Sequence, residues 1–216
     1  MPQPTAAAAP AHPDVEITES ATAFARFLRV DVVRFRNRRY SGGWSALRSY
    51  DLMLRGRAVA VLLYDPDRAS VVLAEQFRLA PLYCNASPWQ IEVVAGLVDG
   101  AESDEAAARR ETREEADLEL QGDLVPIQRY MPSPGASGES VMLFCGRVDS
   151  RGAQGIHGLA EEDEEIRIVV KTVAEIEAML DCGRIENGHT LLCLHWLLRH
   201  RERLNRMWGK TPQAPP

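Results

Sequence analysis

At 216 residues the chain suits one domain with elaborations, or one domain and a small appendage. Hydrophobic residues make up 45% and charged residues 26%, the balance of an ordinary globular protein with enough apolar material for a core. A formal net charge of -6 argues against a nucleic-acid-binding surface, and no apolar run reaches the roughly 18–20 residues of a membrane span, so neither partner is expected.

Residues 1–14 are rich in Pro and Ala and lack a basic segment followed by an apolar one, so they do not read as a signal peptide. They are expected to be disordered, as is the tail 209–216. Cys84, Cys145, Cys182 and Cys193 are scattered without metal-ligand spacing, which points to reduced thiols and a cytoplasmic location. From about Val15 to Asp51, apolar and basic positions alternate around Ser41-Gly42-Gly43, as in a hairpin with one packed and one polar face. "AVAVLLYDPDRASVVLAEQFRL" predicts two buried strands around an Asp-Pro-Asp turn, and "PWQIEVVAGLVDG" one short strand entering a Gly-punctuated loop. A helix follows, with Ser103 as its N-cap and acidic residues in its first turn. Strands are then predicted near 124–130 and 141–148, and a third at "IRIVVKT" after the acidic loop "GIHGLAEEDEE". Two helices close the chain, "TVAEIEAMLDCG" with a glycine C-cap and "HTLLCLHWLLRHRERL". The order of elements predicts an α+β fold or a helix–sheet–helix sandwich rather than a βαβ array.

The charged helix carries the chemistry. Glu111, Glu114 and Glu115 stand at i, i+3 and i+4, on one face, where like charges destabilise a helix unless something compensates. An oxygen-only cluster suits hard cations such as Mg²⁺ or Mn²⁺, whereas a charge run on a helix is also the ordinary dress of a solvated face. On charge pattern alone, any of Glu161, Glu162, Asp163, Glu164 and Glu165 can be a general base.

The spacing Gly96-x5-Glu102-x7-Arg110-Glu111-x2-Glu114-Glu115-x2-Leu118 resembles the Nudix box, matching seven defined positions across 23 residues. Thr112 stands where an aliphatic residue is usual, and Asp117 where glycine is usual. Asp is among the residues that tolerate positive φ, so the helix end can survive the change. Together with "VVLAEQFRLA", "PWQIEVVAGLVDGAES", "SPGASGES" and "GIHGLAEEDEEIRIVV", the chain from about Val30 to Arg201 is similar to the ADP-ribose pyrophosphatase branch of the Nudix hydrolases.

That resemblance implies an α/β/α sandwich with an N-terminal antiparallel β extension and a homodimer that exchanges N-terminal strands. It divides the chain into an N-terminal β region, 15–56, with a role in dimerisation, and a hydrolase domain, 57–208. It further implies Mg²⁺-dependent cleavage of a nucleoside diphosphate sugar, ADP-ribose to AMP and ribose 5-phosphate. Glu111 and Glu115 become the main metal ligands, with Glu114 assisting and the Ala95 carbonyl contributing, and Gly96, Glu102 and Arg110 support them. Glu162 becomes the general base, with Glu164 supporting metal or water. Arg78 is expected to hold phosphate, and Glu92, Pro134 and Glu139 fall where the branch contacts substrate. Phe27 lies near the adenine position, and Tyr50 offers a second stacking surface. "RSYDLMLRG" departs from the branch's more basic pattern, which leaves GDP-mannose or ADP-glucose as an alternative substrate. A further alternative is a non-catalytic sensor of ADP-ribose-like ligands, against which the retained box carboxylates count.

Overall fold

A computed structural model describes residues 11–159 and 164–209. The expectations placed on the first ten residues, on 210–216 and on Glu161, Glu162 and Asp163 therefore lie outside the described residues. The chain divides into two compact units, Met1–Arg57 with Met131–Ser140, and Ala58–Tyr130 with Val141–Pro216.

The first unit is a three-stranded antiparallel sheet in the order β1 (Val15–Ala25), β2 (Arg29–Asn37), β3 (Arg48–Leu54). The predicted Ser-Gly-Gly turn joins β2 to β3, with Gly42 at φ 90° and Gly43 at φ 70°, conformations that cost glycine nothing. Asp31, buried in mid-strand, is held by Arg29 and by the Thr22 hydroxyl, which donates to it at 2.9 Å. The loop 131–140 returns to this sheet: the Met53 amide donates to the Ala136 carbonyl, and the Gly138 amide to the Met53 carbonyl, each at 2.9 Å.

The second unit is built on an eight-stranded sheet. Its strands are β4 (Arg57–Asp65), β5 (Ser70–Phe77), β6 (Trp89–Glu92), β7 (Val94–Leu97), β8 (Gln121–Tyr130), β9 (Ser140–Arg147), β10 (Ile156–His157) and β11 (Ile166–Thr172). Six run in the order β10-β11-β5-β4-β9-β8, with β6 beside β5 and β7 beside β4. A short 3-10 turn, Ala80–Cys84, joins β5 to β6. Helix α1 (Asp104–Ala116) covers one face, and α2 (Val173–Asp181) and α3 (Gly188–Trp208) the other.

Burial on both faces explains why β4 reads as an unbroken apolar run rather than an alternating one. Val59, Val61 and Leu63 pack with Ala107, Ala108 and Ala116 of α1. Their neighbours Ala60, Leu62 and Tyr64 turn to Ile176 of α2 and Leu194, Leu197 and Leu204 of α3. Small alanines on the inner face of α1 bring its backbone close to the sheet, which sets the depth of everything that follows. Cys145 and Cys193 lie in the second core, and Cys84 and Cys182 are exposed; all four are free thiols.

Two details depart from the predicted elements. "PWQIEVVAGL" forms two strands, because the chain crosses at Val93 from a pairing with β5 to one with β4. A two-residue strand, β10, precedes β11. Helix α2 ends at Asp181 with Cys182 as its C-cap, and Gly183, next in the chain at φ 71°, makes the left-handed closing turn expected of the glycine.

Candidate active site

The crossing at Val93 brings β7 beneath α1. Gly96 is the contact point: a Cβ at this position would stand 1.9 Å from Oε1 of Glu111, far inside any real contact. Glycine is therefore the residue that lets the Glu111 carboxylate lie against the strand. The Ala95 amide donates to Oε2 of Glu115 at 3.2 Å. In an extended strand the N–H and C=O of one residue share an edge, so the Ala95 carbonyl stands on the side facing Glu115, away from β4.

On α1, Glu111 and Glu115 are buried and Glu114 is part-exposed, so the face bearing the three glutamates is turned inward rather than solvated. Burial pushes the Glu111 carboxyl up to about 7, with Arg110 opposing and the charges of Glu114 and Glu164 adding to the rise. Burial, then Glu111 and Glu164, push Glu115 well above the usual carboxylate range. Arg110 gathers the group. Its Nη1 donates to Glu111 at 2.8 Å and Glu114 at 2.9 Å, its Nη2 to Glu102 at 3.1 Å and to the Leu97 carbonyl at 3.0 Å. Glu102 also receives the Arg110 Nε, and these contacts hold its carboxyl below its ordinary range. Arg110 thus pairs with Glu102, Glu111 and Glu114 together.

The two departures within the box are accommodated locally. Asp117 caps α1 at φ 50°, ψ 40°, its amide donating to the Arg113 carbonyl. Thr112 is fully buried, and its hydroxyl donates to the Ala108 carbonyl at 2.7 Å, so no polar group is stranded under the helix.

Arg78, just beyond β5, donates from Nε and Nη2 to one oxygen of Glu92 at 3.2 and 2.9 Å. Burial opposes the arginine's charge, but Glu92, Glu115 and Glu164 together outweigh it and raise its pKa. Glu92 is itself only 5% exposed and also accepts from Gln76 and Asn187. Gln76 and Asn187 were not singled out from the sequence. Gln76 had a signal, since it lies two residues before Arg78 and so shares its side of the strand. Asn187 is legible only as a helix cap.

Glu164 is drawn toward this group from the far loop. The Gly158 amide donates to the Glu114 carbonyl at the end of α1, and the Glu164 amide closes back on the Leu159 carbonyl. Glu162 lies outside the described residues. Phe27, Tyr50, Pro134 and Glu139 belong to the other unit. There, Phe27 is exposed with the Arg55 guanidinium 5.4 Å from its ring centre, and Tyr50 packs edge-on to Phe35 at 4.9 Å. Glu139 lies 4.0 Å from Arg55, and Pro134 is exposed in the returning loop.

Among the described residues, no three acidic, His or Cys side chains are gathered closely enough to hold a cation as they stand. Arg110 takes Glu111 and Glu114, with Glu102, instead. The donor set nonetheless fits a hard divalent ion: oxygen-only, buried, cradled against Gly96, and with two carboxyls whose pKa is raised by burial first and by neighbouring carboxylates second.

A family model for the NUDIX domain matches residues 54–191. The chain belongs to the Nudix family. It is 37% identical over 196 residues to an ADP-ribose pyrophosphatase of Escherichia coli K12, covering 91% of this chain and 93% of the relative. It is likewise 37% identical over 202 residues to one from Haemophilus influenzae, covering 92% of each. A GDP-mannose pyrophosphatase of Citrobacter koseri is 35% identical over 145 residues, covering 66% of this chain and 74% of the relative. A crystal structure described as an ADP compounds hydrolase superposes with a TM-score of 0.68 at 17% identity, covering 94% of this chain and all of that one, and shows the same Nudix fold. As a Nudix hydrolase fold, the eight-stranded sheet between α1 and the α2–α3 pair is the α/β/α sandwich expected from the sequence, and the three-stranded antiparallel sheet its N-terminal extension.

Proposed function

We propose that this Nudix enzyme hydrolyses the pyrophosphate bond of ADP-ribose, giving AMP and ribose 5-phosphate, with Mg²⁺ as its metal. The observation that carries the reading is the buried Glu111–Glu115 pair laid against Gly96 and the Ala95 backbone. Glu111 and Glu115, with the Ala95 carbonyl, would hold the ion, and Glu114 and Glu164 would assist. When bound, such an ion would neutralise the pyrophosphate and stabilise charge developing on the attacking and departing oxygens. Mn²⁺ can substitute, being a similarly hard cation.

The protein's own groups do the rest. Arg78, braced by Glu92, supplies a fixed positive charge for a phosphate. Arg110 holds Glu111 and Glu114 together and aimed. Glu162 takes the proton of the attacking water, since a carboxylate committed to metal is a poor acceptor. Phe27 and Tyr50, with Pro134 and Glu139, would contact the nucleoside and the terminal ribose. The chain would act as a homodimer, an assembly favoured by a first strand exposed at nearly every residue. The similarity to curated ADP-ribose pyrophosphatases along nine-tenths of the chain favours that substrate over GDP-mannose, whose hydrolases match only two-thirds of it.

The test is product release from a nucleotide-sugar panel with and without Mg²⁺, run on the native protein beside Glu115→Gln and Glu162→Gln. The native protein should release AMP from ADP-ribose only with the metal. Glu115→Gln should abolish this, and Glu162→Gln should lower kcat about 10²–10⁴-fold. Turnover of GDP-mannose alone would replace the substrate and keep the chemistry. Tight binding of ADP-ribose without hydrolysis would overturn the enzyme reading.

A further inference from the structure

Two tasks meet in the side chain of Asn187, at the start of α3. Its Oδ1 accepts from the Thr190 amide and hydroxyl, each at 3.0 Å, which is the work of a helix N-cap. Its Nδ2 donates to Oε1 of Glu92 at 3.1 Å. The other oxygen of Glu92 receives Gln76 at 3.2 Å and both Nε and Nη2 of Arg78. Thr190, fully buried, accepts the Val93 amide at 3.0 Å, so the first turn of α3 is stitched to the crossing between β6 and β7 through both side chain and backbone.

We propose that Asn187 is a positioning residue for hydrolysis, acting on Arg78 through Glu92; the proposal rests on the reading of Arg78 as the phosphate-binding arginine. A carboxylate as buried as Glu92 must have its oxygens bonded. Asn187 satisfies Oε1 and so fixes the plane of the carboxylate, which directs Oε2 at the Nε–Nη2 edge of Arg78. The Nη1 corner of the guanidinium is thereby turned away from Glu92 and can meet an anion. Without the Asn187 amide, the carboxylate turns to find another donor and Arg78 turns with it. The side chain of Arg78 is 41% exposed, so the sheet alone does not hold it.

Cap and brace can be separated. Asn187→Ser keeps a good cap but is too short to reach Glu92, and Asn187→Asp keeps cap and size but replaces the donor with a like charge. Because the arginine binds phosphate before and during reaction, its displacement should act on KM. Asn187→Ser should melt close to the native protein, raise KM for ADP-ribose roughly tenfold and leave kcat within about threefold. Asn187→Asp should raise KM further. A direct reading comes from the arginine Nε–Hε region of a ¹⁵N spectrum, in which the Arg78 signal, assigned with Arg78→Lys, should shift and broaden in both variants. A lowered melting temperature with KM and the Arg78 signal unchanged would reduce Asn187 to a cap and overturn the proposal. If the native protein does not hydrolyse ADP-ribose, the functional reading fails by itself. The Arg78 signal then decides alone: movement upholds the link through Glu92, and an unmoved signal overturns it.

Discussion

At Gly96 a single missing methyl group decides where a carboxylate lies. A Cβ there would collide with the Glu111 carboxyl group at 1.9–2.0 Å, so Gly96→Ala must push Glu111 off β7 or lift α1. Overpacking of this kind costs about 1–3 kcal/mol. We therefore expect Gly96→Ala to fold with a lowered Tm and to lose most of its metal-dependent activity, read by calorimetry and by AMP release. Unchanged activity would mean that Glu111 does not act from this cradle. Residues of this kind were legible in sequence because spacing along one helix and its preceding loop is local. Asp117 shows the same legibility: its left-handed conformation follows from residue type and position. Gln76 and Asn187 were not legible as site residues, because their meeting at Glu92 joins positions 16 and 95 residues apart, and no local pattern records that.

The helix α1 is an element held against its own electrostatics. Glu111 titrates at about 7 in the fold, against an ordinary value of 4.5, and Glu115 is raised too. The sign follows: between about 4.5 and 7 the folded chain holds more protons than the unfolded one, so without metal its stability falls as pH rises. Above that window the Glu111 contribution is gone, a loss of order 3 kcal/mol. A divalent cation needs both carboxylates ionised, so it should bind more tightly as pH rises and restore what the metal-free helix loses. Melting curves in EDTA and in Mg²⁺ at pH 5.5, 7 and 8.5 should therefore diverge with pH, and parallel curves would refute a cation at α1. Elements of this length and periodicity were readable along the chain. The crossing at Val93 was not, because a strand that changes partners keeps one apolar pattern throughout. The end of α2 was readable, as Gly183 carries the positive φ that marks such ends.

In the molecule as a whole, the first unit ends in an exposed edge strand. Val15, Ile17 and Phe24 of β1 are each 40–47% exposed, a large apolar content for an edge strand. If this strand pairs with a second copy, light scattering should give twice the 24.0 kDa chain mass. Ile17→Asp with Phe24→Asp should then yield monomers, and a native monomer would remove the dimer. That a sheet precedes the hydrolase fold was legible from alternation over 15–51, but the exposure of its apolar first strand was not, since alternation alone does not say which face is covered. The four cysteines carry a consequence for handling the protein. Cys193 is pushed up to about 12 by burial and Cys145 is raised as well, so neither offers a thiolate near neutral pH. Cys84 and Cys182 are exposed. The native chain thus comes with two labelling positions already selected by its own packing, and fluorophores or spin labels can be attached there while the core thiols stay silent.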